Sequence, residues 1–358
     1  MEKSNFSDSS FLPSTFDPGF HGAVDENLSR MPYRALGRTG LDVSLISYGG
    51  SSLAKFYGDE INQKSIETIR TSIKRGVNYI DTSPWYGESE ALLGEALNGI
   101  PRNVYYIGTK VGRNFTPGWE NRFDFSRGAV LKNVENSLNL LGLSYVDVIQ
   151  IHDLEFCLDP QIIINETLPA LESVVRAGKA KFIGITGYSL ETMKQTIESS
   201  PVKIDTILSY CRMNFHDTAL LDYMPFFESK NVGVINAAPV SMGLYTNRGP
   251  PEWHPASDDV KRVAGVAKTY ITNQGKRMED VALGFGLHPE NLAVSTTLVS
   301  MPNEEILKTN LEIATTPRTV DDRELYKNVL EIFKSNLKGP GHWEGKEVME
   351  YKKALNLA

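Results

Sequence analysis

Asn78-Tyr79-Ile80-Asp81-Thr82-Ser83-Pro84-Trp85-Tyr86-Gly87 is the stretch on which the reading of the fold turns. A short apolar run of strand character ends in an aspartate, and Pro84 prevents its continuation as a strand. Two later runs have the same form: Val104 to Thr109 stops at Lys110, and Val146 to Ile151 stops at His152. An acid, a phenol, an amine and an imidazole thus fall at or just past three successive strand ends. If those strands are parallel neighbours, the four groups share one rim.

The surrounding pattern supports that arrangement. Tyr33-Arg34-Ala35-Leu36 and Leu41-Asp42-Val43-Ser44 flank Gly37-Arg38-Thr39-Gly40, which predicts a β-hairpin. Strands then follow at 45–48, 77–80, 104–109, 146–151, 181–185, 206–208, 232–237 and 293–299. Helices alternate with them at 62–75, 89–97, 126–141, 165–176, 190–198, 219–230, 279–287 and 304–313, with an extra one at 258–272. In the first of these helices Ile66, Ile69 and Ile73 recur at helical spacing, and Gly76 stands just past its end.

Eight strand–helix repeats over about 270 residues match the size of a (β/α)₈ barrel, a TIM barrel of the α/β class. An open doubly wound sheet is the competing architecture. It is disfavoured because the first strand runs into Gly49-Gly50-Ser51-Ser52-Leu53, with no G-x-G-x-x-G opening a helix. The expected organisation is a disordered leader over 1–30, the barrel over 31–317, and a C-terminal helix with a polar tail over 318–358.

Composition narrows the function classes. The 358 residues carry a net charge of −7 with no basic stripe, which argues against nucleic acid as a partner. No segment approaches the length of an apolar membrane span, and the N-terminus has no signal-peptide core. Two cysteines, Cys157 and Cys211, suggest a reducing compartment, hence a cytoplasmic location. Neither has neighbours at a metal-ligand spacing, so no metal site is expected.

Together, the Tyr-Ile-Asp-Thr-Ser-x-x-Tyr-Gly run, the strand ending in Lys110 and the Ile151-His152 strand end resemble the aldo-keto reductase superfamily. Within it, the runs from Ile151 to Phe156, Ile207 to Cys211 and Gly249 to Ser257 look like the L-galactose dehydrogenase branch. The resemblance spans about residues 33 to 317. It implies a catalytic tetrad of Asp81, Tyr86, Lys110 and His152. An isolated phenol, with a pKa of about 10, is a poor acid at neutral pH. Lys110 is therefore expected to lower the pKa of Tyr86, Asp81 to hold Lys110, and His152 to donate a hydrogen bond to the substrate oxygen.

The resemblance also implies a nicotinamide cofactor. Gly49, Gly50, Ser51, Thr186, Gly187 and Ser209 would hold its nicotinamide end, although Gly187 and Ser209 replace the Asn and Gln usual in the family. Pro239, Met242, Gly243 and Leu244 would lie along the pyrophosphate, and Leu298, Ser300 and Asn310 near the adenosine end. NADP(H)-preferring relatives carry basic residues where this chain has Ser300 and Ile306, and Glu304 and Glu305 add negative charge, so NAD(H) is favoured. Trp85, Trp119, Phe156 and Trp253 are the expected substrate residues.

The leading expectation is hydride transfer between nicotinamide and a sugar-like alcohol or aldehyde, such as L-galactose and its lactone, by a monomer or weak homodimer. The alternatives are a broad carbonyl or steroid reductase and, from another class, a redox-sensing channel subunit.

Overall fold

Around the Gly37 turn the expected hairpin forms, with β1 (Tyr33–Ala35) antiparallel to β2 (Asp42–Ser44) in the computed structural model. The structure describes residues 12–24, 26–56, 61–287 and 294–357. The eight strands β3 (Ile46–Gly49), β4 (Tyr79–Asp81), β5 (Tyr106–Val111), β6 (Val146–Ile151), β7 (Ala180–Gly187), β8 (Thr206–Tyr210), β9 (Gly233–Ala237) and β10 (Val294–Val299) are all parallel. They close in the order β10-β3-β4-β5-β6-β7-β8-β9, a (β/α)₈ barrel with outer helices.

The hairpin plugs one end of the barrel. Leu36, Leu41 and Val43 are buried in one cluster with Tyr79, Tyr106, Val148, Leu208, Ile235 and Leu298. Gly37 has φ +54°, and a Cβ there would fall 2.2 Å from the backbone nitrogen of Gly233. Only glycine lets the hairpin turn approach β9 so closely. The opposite rim, at the strand C-terminal ends, is left to the functional residues.

Three expectations are corrected. The helix expected at 165–176 is interrupted: a π-helical turn, Ile163–Thr167, precedes the α-helix Leu168–Arg176. Pro169 has no N–H to bond back to residue 165, so a regular α-helix cannot run through it. Part of the expected disordered leader is packed on the body. The Asn78 side chain donates to Thr15 Oγ1 at 3.0 Å, Leu28 is buried, and short helices form at Pro18–His21 and Glu26–Arg30. Residues 1–11 lie outside the described residues.

The third correction concerns the tail. After the helix Val320–Asn336, which packs on Asp258–Asn273, the chain forms another helix, Lys346–Ala354, with Trp343 and Tyr351 buried. Two aromatic anchors make this segment part of the folded body. Among the described residues no helix is long and apolar enough to cross a membrane.

Candidate active site

Strand register assembles the centre of the site. Asp81 on β4 pairs with Gly108 on β5, and Lys110 on β5 pairs with Gln150 on β6. Alternation along β5 puts Gly108 and Lys110 on one face. Gly108 matters because a Cβ there would lie 2.5 Å from the Tyr79 hydroxyl and 3.4 Å from Asp81 Oδ2. Its absence leaves room for Lys110 Nζ to donate to Asp81 Oδ1 and, at 2.9 Å, to the carbonyl of Thr82. Gln150 Nε2 donates to the other Asp81 oxygen at 2.6 Å.

Asp81 and Lys110 are each 1% exposed. A buried ion pair persists only when its remaining hydrogen-bonding capacity is filled, which Gln150 and the Thr82 carbonyl accomplish. Burial by itself would lower the Lys110 pKa, but Asp81 and Tyr86 outweigh it and hold the ammonium above its ordinary value.

Pro84–Tyr86 forms a single 3₁₀ turn that brings Tyr86 over this pair, with Lys110 Nζ 5.0 Å from the ring centroid. The His152 ring meets Tyr86 edge-on at 5.8 Å. Burial, reinforced by Lys110 and Arg113, pushes His152 well below its usual range, so it is neutral. Ser83 Oγ accepts the Trp85 N–H at 3.1 Å and lies 2.9 Å from His152 Nδ1. In the tautomer where Ser83 donates to Nδ1, the proton of the neutral imidazole is on Nε2.

The expected lowering of the Tyr86 pKa is corrected. Burial raises it, and although Lys110 opposes, the net direction is upward. A half-buried phenol surrounded also by Asp81 and Asp153 keeps its proton more firmly than one facing an ammonium alone.

Several participants lay outside the sequence reading. Arg113 pairs with Asp153, whose N–H donates to Thr186 Oγ1 at 3.0 Å. The Arg113 guanidinium stands 4.3 Å from the Trp85 ring centroid, and Arg122 stacks between Trp85 and Trp119 at 4.6 and 4.1 Å. Ser83 and Gln150 complete the polar frame.

The expected substrate residues divide. Trp85 joins Phe56 and Phe115 at 5.7 and 5.8 Å. Trp119 and Phe156 stack with each other and with Phe123 and Tyr351. Trp253 stands apart, 52% exposed and stacked on His254. His254 and His216 are both buried. They hold the loop after β9 through Ser241, His216 by its hydroxyl and His254 by its carbonyl, at 2.9 Å each.

Among the expected cofactor residues, Gly49 and Gly50 are buried at the end of β3, with Ser51 half-buried beside them. A Cβ on Gly50 would fall 2.8 Å from the Asp81 carbonyl, so its glycine serves close packing of β3 on β4. Thr186 and Gly187 end β7, and Ser209 lies near the end of β8. Around Pro239 and Leu244 the backbone turns sharply, with positive φ at Ala238, Ser241, Met242 and Gly243. Leu298 packs in the barrel interior, and the Asn310 amide donates to the Ser300 carbonyl at 3.2 Å, shaping the loop after β10.

A (β/α)₈ barrel with an Asp–Lys pair beneath a tyrosine and a neutral histidine on its C-terminal rim defines an oxidoreductase class. The chain belongs to the aldo/keto reductase family, whose model matches residues 45–329. It is 39% identical over 293 residues to L-galactose dehydrogenase of Arabidopsis thaliana, covering 80% of this chain and 89% of that one. D-arabinose 1-dehydrogenase of Saccharomyces cerevisiae is 34% identical over 290 residues, covering 75% and 85%. An aldo-keto reductase of Bacillus halodurans in its holo form superposes with a TM-score of 0.68 at 23% identity, over 84% of this chain and 96% of that chain.

Proposed function

We propose that the chain is a nicotinamide-dependent dehydrogenase that oxidises the anomeric hydroxyl of a cyclic aldose to a lactone, with L-galactose as the leading substrate. The observation that carries this reading is the stack of Lys110 under Tyr86, with neutral His152 meeting the phenol edge-on at the C-terminal rim of the barrel. Identities of 39% and 34% to two sugar dehydrogenases support the substrate class.

In this reading Tyr86 is the proton-transfer group. In reduction the phenol, held protonated by burial, gives its proton to the substrate oxygen. In oxidation the phenolate that Lys110 stabilises, formed once that proton has left to solvent, takes the hydroxyl proton as the C–H bond breaks. Lys110 stabilises the phenolate, and Asp81 and Gln150 hold Lys110 in place. His152 Nε2–H donates to the reacting oxygen, fixing its position between imidazole and phenol. The nicotinamide, when bound, supplies the acceptor or donor of the hydride.

The chain's own residues fit such a cofactor. Ser209 Oγ is buried without a hydrogen-bond partner among the described residues, a polar group that the ring carboxamide would satisfy. At the adenosine end, the helix Glu304–Thr315 is already capped by Asn303, with Glu304 and Glu305 in its first turn. Those carboxylates repel a 2′-phosphate and favour NAD(H).

A spectrophotometric panel with both cofactors tests the reading. L-galactose and D-arabinose should be oxidised with NAD⁺ in preference to NADP⁺. Turnover confined to aromatic or steroid carbonyls would refute the sugar assignment. A much lower KM for NADPH than for NADH would refute the cofactor assignment.

A further inference from the structure

Between the ends of β6, β7 and β8 and the C-terminal helix lies a cavity of about 180 Å³, walled by Glu155, Tyr188, Tyr210, Trp343, Glu344 and Glu347. Its aromatic part is preassembled, with Tyr188 and Trp343 rings 5.3 Å apart and Tyr210 edge-on to Tyr188 at 5.2 Å. Its polar part is incompletely satisfied. Glu155 Oε1 accepts the Tyr188 N–H at 2.7 Å, but Oε2 is buried without a partner. That oxygen lies over Gly187, where a Cβ would come within 2.4 Å of it. Glu347 is reached by the Tyr210 hydroxyl only at 3.4 Å, the outer limit of a hydrogen bond, which leaves it acceptor capacity.

The cavity adjoins the proton-transfer centre through Asp153. This residue follows His152, pairs with Arg113, and acts electrostatically on Tyr86, Tyr210, Glu155 and Glu347. Burial, with Asp153 next in effect, pushes the Glu155 carboxyl up to about 8. At neutral pH it is therefore largely protonated, and can donate as well as accept.

We propose that Glu155, Tyr210 and Glu347 form a subsite for the hydroxyls of a cyclic polyol, those remote from the carbon being oxidised, with Trp343 and Tyr188 against the C–H face of the ring. The proposal rests on the sugar-dehydrogenase reading and names the residues that select the sugar. Hydroxyls both donate and accept, which matches a set of two carboxyls and a phenol. The ring's apolar face matches the aromatic wall. Among the described residues no basic side chain lines the cavity, so an anionic ligand is disfavoured. Glu347 reaches the site from the far end of the chain. Its helix is held by the Arg212–Glu344 ion pair at 2.6 Å and by the Trp343 N–H donating to Tyr188 Oη at 3.2 Å. Sugar selection thus depends on the C-terminal segment.

The test compares full-length wild type, Glu347→Gln and Glu347→Ala in NAD⁺-linked oxidation of L-galactose and NADH-linked reduction of butanal, which has no hydroxyls. The ratio of kcat/KM for L-galactose to that for butanal should fall about tenfold in Glu347→Ala, the equivalent of one lost polar contact at 1.4 kcal/mol per decade. A smaller fall should follow in Glu347→Gln, with hydrogen exchange over residues 343–357 unchanged. An unchanged ratio in both variants, or equal loss on both substrates with increased exchange in the tail, overturns the subsite and leaves the sugar reaction standing. Wild-type turnover of butanal without oxidation of L-galactose or D-arabinose overturns the sugar reading, and the subsite with it.

Discussion

The floor of the cleft and its outer wall are built on different principles. The floor is Asp81, Lys110, Gln150 and His152, carried on adjacent strands whose register leaves each side chain almost no freedom. The outer wall is Trp119, Phe123, Phe156 and Tyr351, joined by Trp343 and Glu347 from the C-terminal segment beyond the barrel. The wall is held by ring stacking and by the partly buried Arg212–Glu344 ion pair, outside the barrel strands. On the proposed function, chemistry would sit on the strand-borne part and selection on the outer one.

Four predictions test that division. Tyr86→Phe should lower turnover by about 10²- to 10⁴-fold, the range for a lost general acid–base. Binding of NADH, followed by fluorescence, should be unchanged; near-normal turnover would remove Tyr86 from the mechanism. Lys110→Met should cost the floor its stability as well as its activity. It leaves Asp81 buried and unpaired, a loss of about 3–5 kcal/mol readable by chemical denaturation.

Tyr351→Ala should behave in the opposite way. It removes one ring from the wall, at a cost of about 3 kcal/mol at most because the helix can shift to fill the gap. Hydrogen exchange should rise across residues 343–357 while the barrel strands stay protected. Equal loosening of β4 to β6 would mean that wall and floor are one cooperative unit.

The last prediction concerns pH. Glu155 has a folded-state pKa raised from the usual carboxylate value to about 8 by burial and then by Asp153. Between those two values the folded protein holds a proton that the unfolded chain has released. Its contribution therefore makes stability decline as pH rises from about 4.5 to about 8, and then level off. Glu155→Gln should flatten that part of the pH–stability curve, and an unchanged slope would show that other groups produce it.

Much of the floor was legible in the sequence because strand ends in a parallel barrel share a rim, so Asp81, Lys110 and His152 could be placed together before any coordinates. Their supporting partners were not. Ser83, Gln150 and Arg113 gained meaning only from strand register, from the hydrogen bond of Ser83 with His152 and from the pairing of Arg113 with Asp153. The direction of the Tyr86 shift was misread because Lys110 was visible as a neighbour, whereas the burial that outweighs it was not.

The wall was the harder half. Trp85, Trp119 and Phe156 were recognisable as cleft aromatics, but Trp253 looked equivalent in sequence and stands elsewhere. The tail from Trp343 onward read as polar, since three lysines and three glutamates in 344–353 conceal two buried aromatic anchors.

Alternating strand and helix periodicity, and the residue type at each strand end, were thus determined by sequence alone, because period, length and breakers are local properties. Which distant carboxylate faces which phenol, and whether burial or a neighbouring charge governs a pKa, was decided only by tertiary structure. Desolvation and long-range contacts depend on what the rest of the chain places around a group, and no local pattern records that.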